Sequence, residues 1–99
     1  MNIEEMIKDC ERMRKDGEIM VFALGVGRVL PKLGKIRLMK QTMKYIKKME
    51  GFLGIHSVDL WHNLLIFKTL NDAKRGKNEL IGMGCSVGEI APILIKEVL

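Results

Sequence analysis

Ile19-Met20-Val21-Phe22-Ala23-Leu24 and Leu64-Leu65-Ile66-Phe67 are uninterrupted apolar runs, too short to stand as helices on their own. Each reads as a β-strand buried on both faces. Alternate side chains of a strand point to opposite sides, and only a two-sided cover makes both sets apolar. Two such central strands need edge strands beside them and helices above them, and the rest of the chain offers both.

Three stretches carry helical periodicity. At the N-terminus Asn2 suits a cap with Glu5 three residues on, and Ile3, Met6, Ile7, Cys10 and Met13 follow on one stripe; Asp16-Gly17 ends it as a turn. Residues 35–50 place Ile36, Leu38, Met39, Met43, Tyr45, Ile46 and Met49 in one half of a helix, with Gly51 suited to C′. Thr69-Leu70-Asn71-Asp72 opens a third, with Leu70, Ala73, Leu80 and Ile81 as its buried stripe and Gly82 or Gly84 as its end.

Two further strands have edge character. Residues 55–61 alternate polar with apolar and connect through a His62-Asn63 turn to the second apolar run. Residues 89–98 carry Pro92, which cannot donate to a ladder on both sides. After the first helix the order is therefore β-α-β-β-α-β. Across residues 18–98 this resembles the ferredoxin-like fold, which implies an α+β domain with an antiparallel sheet in the order 4-1-3-2. The two-sided runs then fall at the centre, and the alternating and proline-bearing strands at the edges. The expectation is one domain over residues 1–99, with residues 1–16 as an extra N-terminal helix. Such a sheet has helices on one face only, yet both parities of the first strand are apolar, Ile19, Val21 and Ala23 on one side and Met20, Phe22 and Leu24 on the other, so the face without helices is apolar as well. It needs a cover, for which the N-terminal helix and a second subunit in a homodimer are the candidates.

Charge is concentrated in one place. Residues 28–49 carry eight basic side chains (Arg28, Lys32, Lys35, Arg37, Lys40, Lys44, Lys47 and Lys48) and no acid, whereas the flanking segments sum to −2 and −1, giving the chain its net +5. On a helical wheel with Ile36 at zero, Lys47, Lys40, Lys44, Arg37 and Lys48 fall within about 20° to 120°, a single stripe. Solvated helix faces usually interleave acids at i,i+4, but Lys40–Lys44 and Lys44–Lys48 juxtapose like charges. An anionic partner would relieve that repulsion, so these eight residues are the expected contact surface for an acidic protein or a nucleic-acid backbone. Gln41 is the only amide beside the stripe, so nucleic-acid contact should have weak sequence specificity and strong salt dependence. RNA-recognition motifs share the topology but stack bases on aromatics of the third strand. Leu64-Leu65-Ile66-Phe67-Lys68 offers one phenylalanine, which excludes that mode.

The connection from Gly25 to Lys35 is the alternative site. Its glycines with Arg28, Lys32 and Lys35 before a helix could cradle a phosphate or carboxylate, although the spacing fits neither common nucleotide fingerprint. Acylphosphatases place a loop arginine after the first strand of this topology, but their fuller loop pattern is absent. Residues 27–36 are similar to the Gly-Val-Leu loop of ACT regulatory domains. That resemblance implies a small-molecule-sensing domain with a ligand at residues 27–35 and a subunit interface.

Catalysis has no equivalent signal. His56 and His62 do not have metal-ligand spacing, His62 reads as a surface turn residue, and no Ser-His-Asp or Cys-His arrangement is present. We expect no catalytic residue, metal or cofactor. Cys10 and Cys85 form no CxxC pair and read as reduced thiols of a cytoplasmic protein. No apolar run approaches the ~20 residues that span a bilayer, and the acidic start with Glu4 and Glu5 is unlike a secretory leader.

Overall fold

A computed structural model of the chain describes residues 2–27, 44–57 and 62–96. In order these form α1 (Ile3–Met13), β1 (Glu18–Gly27), a helical stretch at residues 44–47 (α2), β2 (Phe52–Ser57), β3 (His62–Phe67), α3 (Leu70–Gly82) and β4 (Val87–Lys96). The strands make one antiparallel sheet in the order β2-β3-β1-β4, which is 4-1-3-2 read from the opposite edge. The architecture is α+β, and the two continuous apolar runs lie in the central strands.

The helix starts follow their local chemistry. Asn2 accepts a hydrogen bond from the Glu5 amide at 2.9 Å, while Glu4 and Glu5 complement the positive end of the α1 dipole. Thr69 accepts from the Asp72 amide at 3.1 Å and donates its hydroxyl to Asp72 Oδ2 at 2.8 Å. At the other end of α3, Gly84 takes φ +84°, its amide donates to Ile81 O at 3.0 Å, and the Cys85 amide donates to Leu80 O at 3.0 Å. This is a Schellman stop. It folds Cys85 back onto Leu80, and both are buried in the core.

That core lies between the sheet and the helices. Phe22, Leu24 and Val26 of β1 meet Leu65 and Phe67 of β3, with Ile46 from α2 and Ala73 and Leu80 from α3 above them. Ile81, expected within the α3 stripe, is instead 51% exposed; the buried positions of that helix are Ala73, Gly76 and Leu80. An apolar pattern cannot register a glycine as a packing residue, so the stripe reads as rotated from its true position.

Strand boundaries also differ from expectation. Gly25-Val26-Gly27 continues β1 instead of forming a connection, with a bulge between Leu24 and Val26 against β4. His62 and Asn63 are strand residues opposite Gly27 and Val26, not a hairpin turn. β2 begins at Phe52, earlier than the alternation suggested, and β4 begins at Val87. The latter passes without a break through Pro92, which stands opposite Phe22. The missing N–H is harmless there, because Pro92 and its carbonyl belong to the non-bonded position whose polar groups point away from β1. That outward carbonyl meets the Cys10 thiol of α1 at 3.7 Å.

α1 thus runs along the β4 edge on the same side of the sheet as α3. Ile7 packs against the core cluster, and Ile3 shares a depression with Leu70, Lys77 and Ile90. The N-terminal helix does not cover the opposite face, contrary to one expectation. That face carries Ile19, Val21 and Ala23 of β1, flanked by Ile66 of β3 and by Ala91, Ile93 and Ile95 of β4. Its central residues Val21 and Ala23 are nevertheless only 1% and 5% exposed within the single chain, and Ile95 is its exposed margin. No helix among the described residues is long and apolar enough to cross a membrane.

Candidate anion-binding surface

The end of α2 is fixed from below by apolar packing. Ile46 is buried in the core and Met49 packs beside it, which turns the opposite side of the helix outward. The last turn tightens through i→i+3 bonds, Lys48 amide to Tyr45 O and Met49 amide to Ile46 O, both 3.0 Å. Beyond the C′ position expected for it, Gly51 takes φ +75° as the third residue of a turn that the Phe52 amide closes on Met49 O at 3.2 Å, and its carbonyl accepts the Lys68 amide at 2.8 Å. Arg75 of α3 donates to Glu50 Oε2 at 2.8 Å and lies 3.5 Å from Asp72 Oδ1. These contacts tie the end of α2 to the start of α3.

Lys44, Lys47 and Lys48 are exposed on this anchored turn. None forms an ion pair among the described residues, whereas Arg75 nearby has two carboxylates. Lysines in a last turn also complement the negative end of the helix dipole. That benefit does not remove the repulsion between Lys44 and Lys48, one turn apart on the same side. Of the eight residues expected to form the contact surface, the structure brings together these three. Arg28, Lys32, Lys35, Arg37 and Lys40 lie outside the described residues.

Tyr45 was missed by the sequence pattern. It counted as part of the apolar half, but it is 48% exposed. The signal was available: on the helical wheel Tyr45 sits only about 60° beyond Lys48, at the border of the basic stripe. It lines a groove of about 260 Å³ between α2 and α3, together with Lys48, Met49, Arg75 and Glu79.

The glycine-rich connection is altered by the longer β1. The Gly27 amide donates to Ser86 O at 2.9 Å, so it is already engaged and does not point at an anion. The rest of the proposed cradle, residues 28–35, lies outside the described residues.

Titratable groups elsewhere converge less. His56 is exposed opposite Leu64. Burial pushes the Cys85 thiol up, which disfavours the nucleophilic thiolate. Both cysteines are free. Among the described residues no three His, Cys, Asp or Glu side chains converge as a metal site.

No protein-family model matches the chain, no curated protein matches it in sequence, and no solved structure matches its fold.

Proposed function

We propose that this chain is a ferredoxin-like βαββαβ module, extended by an N-terminal helix, that uses the basic face of its first crossover helix to contact an acidic partner or a nucleic-acid backbone in the cytoplasm. The observation that carries this reading is the exposed turn of Lys44, Lys47 and Lys48, anchored by Ile46 and without a carboxylate partner among the described residues. Arg37 and Lys40 continue the same stripe in sequence, and Arg28, Lys32 and Lys35 precede it. Such a surface acts through charge: it attracts a polyanion and releases that polyanion's counterions.

The test is binding of labelled oligonucleotides and of polyglutamate over a salt series. Neutralising about five phosphates gives a log–log slope near −4.5 on duplex DNA. Lys40→Glu, Lys44→Glu and Lys47→Glu together should abolish binding while leaving the circular dichroism spectrum unchanged. Binding that ignores salt, or survives the triple reversal, removes the proposal.

Self-association through the margin of the sheet face opposite α1 and α3 is the second element of the reading. Its support is the exposed margin at Ile95, since Val21 and Ala23 are already shielded in the single chain. Sedimentation of the wild type beside Ile95→Glu decides it. A dimer that the charge dissociates supports this interface, and a wild-type monomer ends it.

A further inference from the structure

Tyr45 stands between two different environments. On one side is the lysine turn, with Lys44 before it and Lys48 one turn on, both exposed. On the other is the groove between α2 and α3, whose wall includes Met49, Arg75 and Glu79. An aromatic ring 48% exposed beside unpaired lysines gives a flat apolar face next to a positive field.

We infer that Tyr45 is a stacking platform for an unpaired base, and that the anionic partner is therefore single-stranded nucleic acid. This rests on the basic-face reading and narrows it. Phosphates lie along Lys44, Lys47 and Lys48, while one base turns inward over the Tyr45 ring into the groove. A duplex cannot use the ring, because its bases are stacked inside. An acidic protein surface fits the lysines but brings carboxylates against Glu79 on the groove wall. A nucleobase is uncharged, and its amino and imino hydrogens are donors that a carboxylate accepts. Glu50 and Asp72 are held by Arg75 at 2.8 and 3.5 Å, so the groove wall carries less free negative charge than its composition suggests. One ring in one groove reads no sequence, and the contact should tolerate any base.

Fluorescence anisotropy with a short oligothymidylate, a duplex of equal length and polyglutamate tests the inference. The wild type should bind the single strand more tightly than the duplex. Tyr45→Ala should weaken the single strand about 5- to 150-fold, the cost of one base–aromatic stack, with little change on the duplex. Its salt slope should stay the same, because no phosphate contact is lost. Tyr45→Phe should bind as the wild type does. Thermal melts of both variants establish that they are folded. If Tyr45→Ala binds the single strand normally, or loses equally on both nucleic acids, the stacking role is wrong and the lysine surface stands. Preferential binding of polyglutamate assigns the partner to acidic proteins and overturns the inference. If no polyanion binds, or reversing Lys44, Lys47 and Lys48 to Glu changes nothing, the basic-face reading fails as well.

Discussion

Gly76 of α3 lies directly on the ring of Phe67 in β3: a Cβ placed on Gly76 would stand 2.6 Å from Phe67 Cζ and 3.0 Å from Cε1. The ring has nowhere to retreat. Phe67 is fully buried and packed edge-on against Phe52, with ring centroids 5.9 Å apart and planes at 71°. The separation of α3 from the sheet is therefore set by the absence of one side chain, and Ala73 and Leu80 bury at the distance it allows.

Gly76→Ala should accordingly destabilise the fold, against the usual preference of helices for alanine. The propensity gain is about 1 kcal/mol, while overpacking a close contact costs about 1–3 kcal/mol and involves a core ring here. Urea unfolding measures the balance. A midpoint that rises in the variant would show that α3 shifts freely and that the contact does not set its position.

Gly51 combines two demands that can be separated by substitution. Its φ of +75° disfavours side chains generally, and a Cβ there would overlap the Asp72 carboxylate and come within 2.7 Å of Asp72 Cβ. Asparagine tolerates a left-handed backbone far better than alanine but has the same Cβ. Gly51→Ala and Gly51→Asn should both lower stability, by about 1–3 kcal/mol. If asparagine restores the wild-type midpoint, backbone conformation alone explains the glycine and the contact with Asp72 does not matter.

Burial of Cys85 predicts both its reactivity and a pH dependence. Its thiol should be alkylated more slowly than that of Cys10, which is partly exposed. An unfolded thiol titrates at about 8.5, and burial raises the folded value of Cys85 above its ordinary one. Between the two values the native state holds more protons than the unfolded state, so stability falls as pH rises. The contribution is complete below the unfolded value and is lost as pH climbs through the folded one. Urea midpoints of the wild type and Cys85→Ala, compared between about pH 7 and pH 10, should converge as the wild type loses this contribution. A constant or widening gap refutes the account.

Much of the sheet was legible because strand polarity reports strand position. Runs with both parities apolar belong at the centre, and Pro92 belongs where one side of a strand has no neighbour. The ends of the strands were less legible. Gly25 to Gly27 pair with His62 to Leu64 through backbone groups that every residue possesses, so the side-chain pattern does not show them. Placement of α1 was hidden for another reason. The stripe of Ile3, Ile7 and Cys10 shows that something must cover it, but not on which face of the sheet. Tyr45 shows the same limit within a helix. The apolar half was drawn wide enough to include it although its wheel position borders the basic stripe, and the burial of Ile46 fixes the rotation that turns it out.

The two edges of the sheet are unequal, and this bears on how the protein can associate. At β4, Pro92 offers no outward amide and its carbonyl faces Cys10 of α1. At β2, Phe52-Leu53-Gly54-Ile55-His56-Ser57 contains neither proline nor a charged side chain, and β3 is its one strand neighbour among the described residues. Natural sheets use such residues to discourage edge pairing. A chain with one edge capped can add a strand once and no further. Two copies joined at β2 would present a capped β4 at each end, so lateral pairing would terminate at a closed dimer and could not propagate into a fibre.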